Sequence, residues 1–104
     1  MPFDPNDRSN PRTQAVTRAV TELTYAPQGD IQAAQRIVMR NQNILLSEDA
    51  DVFLASAINV LVKMGNPTAL SRVPFLKDQQ RLLRRCRQVG IDQAFAEFRR
   101  EKGL

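Results

Sequence analysis

SEDADVFLASAINVLVKMGNP, residues 47–67, is the stretch that decides the fold. Ser47 is a natural N-cap, because a side-chain oxygen there can accept from an orphan amide of the first turn. Glu48, Asp49 and Asp51 crowd that turn, where the positive end of the helix dipole favours carboxylates. Ala50, Phe53, Leu54, Ala57, Ile58, Leu61 and Val62 then recur at i, i+3, i+4, i+7, i+8, i+11 and i+12, a continuous apolar stripe. Lys63 sits in the last turn, and Gly65 can take the left-handed conformation that closes a helix. Asn66-Pro67 is a cap followed by an N1 proline, so a second helix starts at once. Two helices joined so tightly must lie antiparallel.

The same rhythm extends on both sides. Beyond Pro67, the spacing turns Leu70, Val73 and Leu76 inward, then Leu82, Leu83, Cys86 and Val89. Pro74 stands inside this run. A mid-helix proline costs about 3 kcal/mol, which predicts a kink or break around Arg72–Phe75. Gly90 ends the helix, and a left-handed cap there would tolerate a β-branched residue poorly. Ile91, Ala94, Phe95 and Phe98 give a short final helix. Toward the N-terminus, Asn10-Pro11 opens a helix with Ala15, Val16, Ala19, Val20 and Leu23 on one face. Its threonines lower its helix propensity, and Tyr25-Ala26-Pro27-Gln28-Gly29 ends it. Asp30 caps a helix carrying Ile31, Ala34, Ile37 and Val38, which frays near residues 41–43. Ile44-Leu45-Leu46 is a buried turn or a hydrophobic staple for the next helix.

The expected architecture is all-α: about five helices packed as antiparallel hairpins, either tetratricopeptide-like or a small helical bundle. No strand pattern and no strong internal repeat interrupts it. The 104 residues suit one domain. Residues 12–104 are that domain. Residues 1–11, with Pro2, Pro5 and Pro11 among polar residues, are expected to be a mobile or loosely packed arm.

Composition narrows the setting. A lone cysteine, Cys86, permits no internal disulfide and no zinc pair, which suits a reducing compartment. The N-terminus has no apolar core of a secretory signal. No apolar run nears the roughly 20 residues that cross a bilayer. A cytoplasmic location is expected, and no membrane partner, since aromatic residues are few for interfacial insertion. Net charge is +4 and uneven. Residues 67–104 hold nine Lys/Arg against four Asp/Glu, whereas residues 1–66 hold six against seven.

The absence of histidine removes the commonest general base, the commonest metal ligand and every Ser–His or Cys–His pair. Cys86 lies on an apolar face, which suits a buried thiol rather than a nucleophile. Glu48, Asp49 and Asp51 point in different directions, so capping explains them better than a metal. The four glycines are isolated, so there is no phosphate loop. No enzyme activity and no cofactor are expected. What remains is a basic row: Lys77, Arg81, Arg84, Arg85 and Arg87. It could hold phosphates, with Gln79, Gln80 and Gln88 nearby, though they form no clean base-reading stripe. It could equally pair with Glu48, Asp49 and Asp51 on the neighbouring helix, or cover apolar surface with its stems.

Leu45-Leu46-Ser47-Glu48-Asp49-Ala50-Asp51, Leu61 to Gly65, Leu82-Leu83-Arg84-Arg85-Cys86-Arg87, Val89-Gly90-Ile91-Asp92 and Ala94-Phe95-Ala96-Glu97 together resemble a helical module of cyanobacterial and actinobacterial proteins. That module often stands beside tetratricopeptide repeats, caspase-like CHAT domains or signalling ATPases. The resemblance covers about half the chain, from Leu45 to Glu97. It implies a tetratricopeptide-like fold and a scaffolding role without defined enzyme activity. The pattern's helix before the arginine run is uninterrupted, whereas Val73-Pro74-Phe75 stands here.

The functional expectation is a non-catalytic protein-interaction, scaffold or adaptor module. It would receive an acidic or amphipathic partner segment, with the basic row steering, and self-association is a further option. The alternative is a small basic nucleic-acid-binding protein.

Overall fold

The computed structural model describes residues 3–26 and 30–103. These form an all-α bundle of α1 (Pro11–Thr24), α2 (Ile31–Arg40), α3 (Gln42–Leu45), α4 (Glu48–Met64), α5 (Pro67–Val89) and α6 (Ile91–Glu101). Five match the expected helices. The sixth, α3, is a single turn that places Leu45 in the core.

Sequence-level caps set most boundaries. The side chains of Asn10, Asp30 and Asn66 accept from the amides of Arg12, Ala33 and Ala69, so each holds a helix start. Gly65 adopts φ 69°, ψ 0° and closes α4 in the left-handed region. Ser47 occupies the cap position of α4 without capping it: its hydroxyl donates to the Ile44 carbonyl, 2.5 Å away, and so ties α3 to α4. Gly90 has φ 93° and ψ 160°, not the left-handed helical values expected of it. That region is open essentially to glycine alone. One residue in this conformation separates α5 from α6.

α5 does not break at Pro74. It runs without interruption for 23 residues. The ring deprives the Leu70 carbonyl of its amide partner, but Leu70 is itself exposed, so water can reach that region. The inward reading of Leu70 is thus corrected, as are those of Val62 and Val89, which also face solvent. Leu70 and Val62 lie where no third helix covers the α4–α5 pair; Val89 is the last residue of its helix.

The helices pack in a closed circuit in which α1 meets α2, α2 meets α6, α6 meets α5, α5 meets α4, and α4 returns to α1. Inside it lie Val16, Val20 and Leu23 of α1, Val38, Leu45, Ala50 and Leu54, Leu83 and Cys86 of α5, and Phe95 of α6. Phe95 is the largest fully buried side chain. The N-terminal segment lies against this body. Phe3 packs on the core, and buried Thr13 donates its hydroxyl to the Asp4 carbonyl at 2.8 Å.

The α4–α5 hairpin outruns the circuit. Past Leu54, α4 contributes no residue to the central core, and α5 enters it fully only at Leu82. Ala69 and Val73 are buried within the hairpin itself. The distal part, residues 57–76, is therefore an overhang, two helices thick and supported from one end.

Candidate interaction site

The basic row falls on α5 and divides between two neighbours. Lys77, Arg81, Arg84 and Arg85 line a groove of about 720 Å³ between α5 and α6, with Glu97, Phe98 and Glu101 on its far wall. Arg87 points toward α4 instead, where it meets Asp51 at 3.4 Å. The arginines are engaged within the molecule. Arg81 donates to Glu101 at 2.8 Å and also reaches Asp78. Arg84 forms a two-pronged contact with Asp51, at 2.7 and 3.1 Å, and Arg85 does the same with Glu97, at 2.8 and 3.1 Å. These fork-to-carboxylate bonds are the strong geometry for arginine. They hold the Glu97 carboxyl well below its ordinary range, at about 2, with Gln93 adding a further bond. Asp51 is lowered too, first by the Arg84 bond, while the guanidinium groups of Arg81, Arg84 and Arg85 are raised by their partners.

Pairing with α4 thus runs through Asp51, one of the three first-turn acids. Asp49 takes Arg12 of α1 at 2.8 Å. The first-turn carboxylates therefore serve the helix dipole and clamp two neighbouring helices at once. Lys77 alone of the basic row has no ion pair among the described residues. The glutamines offer little to a base edge. Gln79 is buried and accepts from the Thr24 hydroxyl, Gln80 reaches back to the Asp51 carbonyl, and Gln88 receives Arg85. The positive charge available to an external phosphate is much smaller than the residue count of the row.

A second concavity was not legible as a site from periodicity. It is a cleft of about 500 Å³ between the C-terminal end of α1 and the hairpin overhang. Phe53, Ala57, Leu61 and Leu76 are half-buried in it, Val60 and Phe75 stand exposed at the mouth, and Tyr25 and Arg72 lie at its edges. Five of the exposed large apolar side chains among the described residues belong to the overhang: Val60, Val62, Met64, Leu70 and Phe75. Val60 and Met64 are 51% and 59% exposed, which is unusual for apolar residues grouped on one element.

The charge around this cleft differs from that of the body. From Val52 to Lys77 the chain has no Asp or Glu, and its charges are Lys63, Arg72 and Lys77. None of the three has an ion pair among the described residues. Lys63 follows Ser56 and Val60 at i+7 and i+3, so it extends the strip that borders the cleft. A 26-residue window without an acid, inside an otherwise mixed-charge chain, is the sequence signal that marks the overhang.

Among the described residues no group of three or more His, Cys, Asp or Glu gathers to hold a metal. Cys86 is buried, and burial pushes its thiol up to about 11, the opposite of an activated nucleophile. Among the described residues no helix is long and apolar enough to cross a membrane. Comparison with protein-family models, with curated proteins and with solved structures finds no match to this chain.

Proposed function

We propose that this chain is a non-catalytic protein-interaction module that receives a helical segment of another protein in the cleft between α1 and the α4–α5 overhang. One observation carries the reading: apolar side chains are grouped, exposed and left uncovered around a concave site, while the core beneath is fully packed. A helix presenting residues at i, i+3, i+4 and i+7 is the natural occupant of an apolar groove between helices. The resemblance of Leu45–Glu97 to a scaffolding module supports the same reading. The basic row, spent largely on Asp51, Glu97, Asp78 and Glu101, takes a supporting part: it ties α5 to α4 through Asp51 and to α6 through Glu97 and Glu101.

The test is to titrate the ¹⁵N-labelled protein with amphipathic helical peptides that share a leucine face but differ in charge. An alanine-faced peptide serves as control. The expected result is amide shifts at Phe53, Ala57, Val60, Leu61 and Leu76 with the leucine-faced peptides and none with the control. Shifts confined to Lys77–Gln88, or no shifts with any peptide, would remove the cleft from the account.

A further inference from the structure

Resting on that reading, we infer that the segment this cleft accepts is an acidic amphipathic helix: apolar on one face and carboxylate-rich on its flanks. The cleft's hairpin wall is apolar and its charge is all of one sign. Arg72 lines it, Lys63 extends its α4 border, and no acid occurs between Val52 and Lys77 to offset them. Elsewhere on α5 each arginine from Arg81 to Arg87 has a carboxylate within the molecule. The overhang cations do not, so an incoming carboxylate would find a partner there without displacing one already bound. On the opposite wall, Asp4 and Asp7 flank the lining residues Pro5 and Asn6, and each carboxylate, accepting through one oxygen from a backbone amide of its own turn, keeps its negative charge. A partner's acids are thereby directed to the hairpin side.

Other occupants fit less well. A second copy brought together face to face would set Lys63 and Arg72 against their own equivalents. Most acids that the helices of a second copy could offer are already paired within it: Asp49 with Arg12, Asp51 with Arg84, Glu97 with Arg85 and Glu101 with Arg81. A lipid surface would meet convex apolar residues first, whereas Phe53, Ala57, Leu61 and Leu76 are recessed in a concavity. Nucleic acid has no use for an apolar floor.

The experiment is fluorescence anisotropy with two labelled peptides of about 18 residues, long enough for several turns of amphipathic helix. Both carry leucine at i, i+3, i+4 and i+7; one has glutamate on its flanks and the other lysine. The glutamate peptide should bind at least tenfold more tightly at moderate ionic strength, with the gap narrowing as salt screens the charges. Arg72→Glu combined with Lys63→Glu should erase or invert that preference. Val60→Asp, at the mouth, should weaken both peptides, whereas Val62→Asp, exposed on the hairpin but outside the cleft lining, should change neither. Circular dichroism confirms that each variant is folded, and all four positions are exposed. If the two peptides bind equally, or the lysine peptide binds better, the acidic partner is wrong and the interaction module stands. If neither binds, both are wrong. Flotation on anionic phosphatidylserine vesicles, or a dimer in sedimentation that Val60→Asp dissociates, then identifies a lipid surface or a second copy as the occupant.

Discussion

The two halves of α5 carry similar side chains into different settings. From Lys77 to Val89 the helix presents Leu82, Leu83 and Cys86 to a filled core, and its arginines are matched by carboxylates of α4, α6 and its own preceding turn. From Pro67 to Leu76 it buries only Ala69 and Val73, shows Leu70 and Phe75 to solvent, and has no carboxylate near Arg72 among its ion pairs. Lys77 and Val89 aside, one half is saturated in both apolar and ionic contacts; the other is unsaturated in both. Unspent contacts on a rigid element are what a binding surface consists of, so the contrast locates function in the half with fewer internal bonds.

The largest expected effect lies in the saturated half. Phe95 of α6 is fully buried in the shared core, so Phe95→Ala should cost about 3–5 kcal/mol. That is a large part of the roughly 5–15 kcal/mol of a typical domain. Val60→Asp, on the overhang, should stay within about 0.5 kcal/mol, as surface substitutions do. Urea denaturation of both variants compares them directly. A cost at Val60 approaching that at Phe95 would mean that the overhang is covered in solution and that the distinction between the halves does not hold.

Pro74 sharpens the same comparison with a smaller change of opposite sign. The proline sits in an intact helix and is exposed, so Pro74→Ala restores an amide for the Leu70 carbonyl and removes the ring. Proline is about 3 kcal/mol less favourable than alanine in a helix interior, and part of that is already relaxed here. Stability should rise by about 1–2 kcal/mol in thermal or urea unfolding. A loss would show that the ring packs against α4 and helps to shape the cleft.

Much of this fold was legible because helix caps are local. Asn10, Asp30, Gly65 and Asn66 each act on atoms within four residues, and all four act as read. The misread burial of Leu70 and Val62 has one cause. Leu70 and Val62 follow apolar periodicity correctly, but periodicity reports a face, not whether another helix reaches it. α4 and α5 extend beyond their neighbours, so the distal part of that face is open. The continuity of α5 through Pro74 has the same origin, since helix pairing outweighs a local penalty. Gln79 stands beside the basic row in sequence, yet it is buried and accepts from Thr24, 55 residues away. The arginine row is visible in the sequence, and Asp51 is one of the first-turn acids of the neighbouring helix that it can meet. The pairs with Glu97 and Glu101 depended on how α6 folds back after Gly90, a tertiary fact.

The smallest expected effect concerns pH, and it also separates the two halves. The Glu97 carboxyl has a folded value of about 2 against an ordinary 4.5, because Arg85 and Gln93 bond its charged form. Above about pH 5 both folded and unfolded chains carry the charge, and the contribution to stability is complete. As pH falls from there toward 2, the unfolded chain takes up a proton that the folded chain refuses, and that contribution is lost. Asp51, lowered by Arg84, has the same sign. Glu97→Gln should therefore flatten the fall of stability between pH 5 and 2, modestly, because the pair is exposed and screened. Arg72→Ala, in the half without carboxylates, should leave the slope as it is. Unfolding midpoints at several acidic pH values measure both. If Glu97→Gln leaves the slope unchanged, the Arg85 fork does not hold in solution. Arg85 would then be free for an external partner, and the ionic side of the contrast between the two halves would rest on Arg81, Arg84 and Arg87 alone.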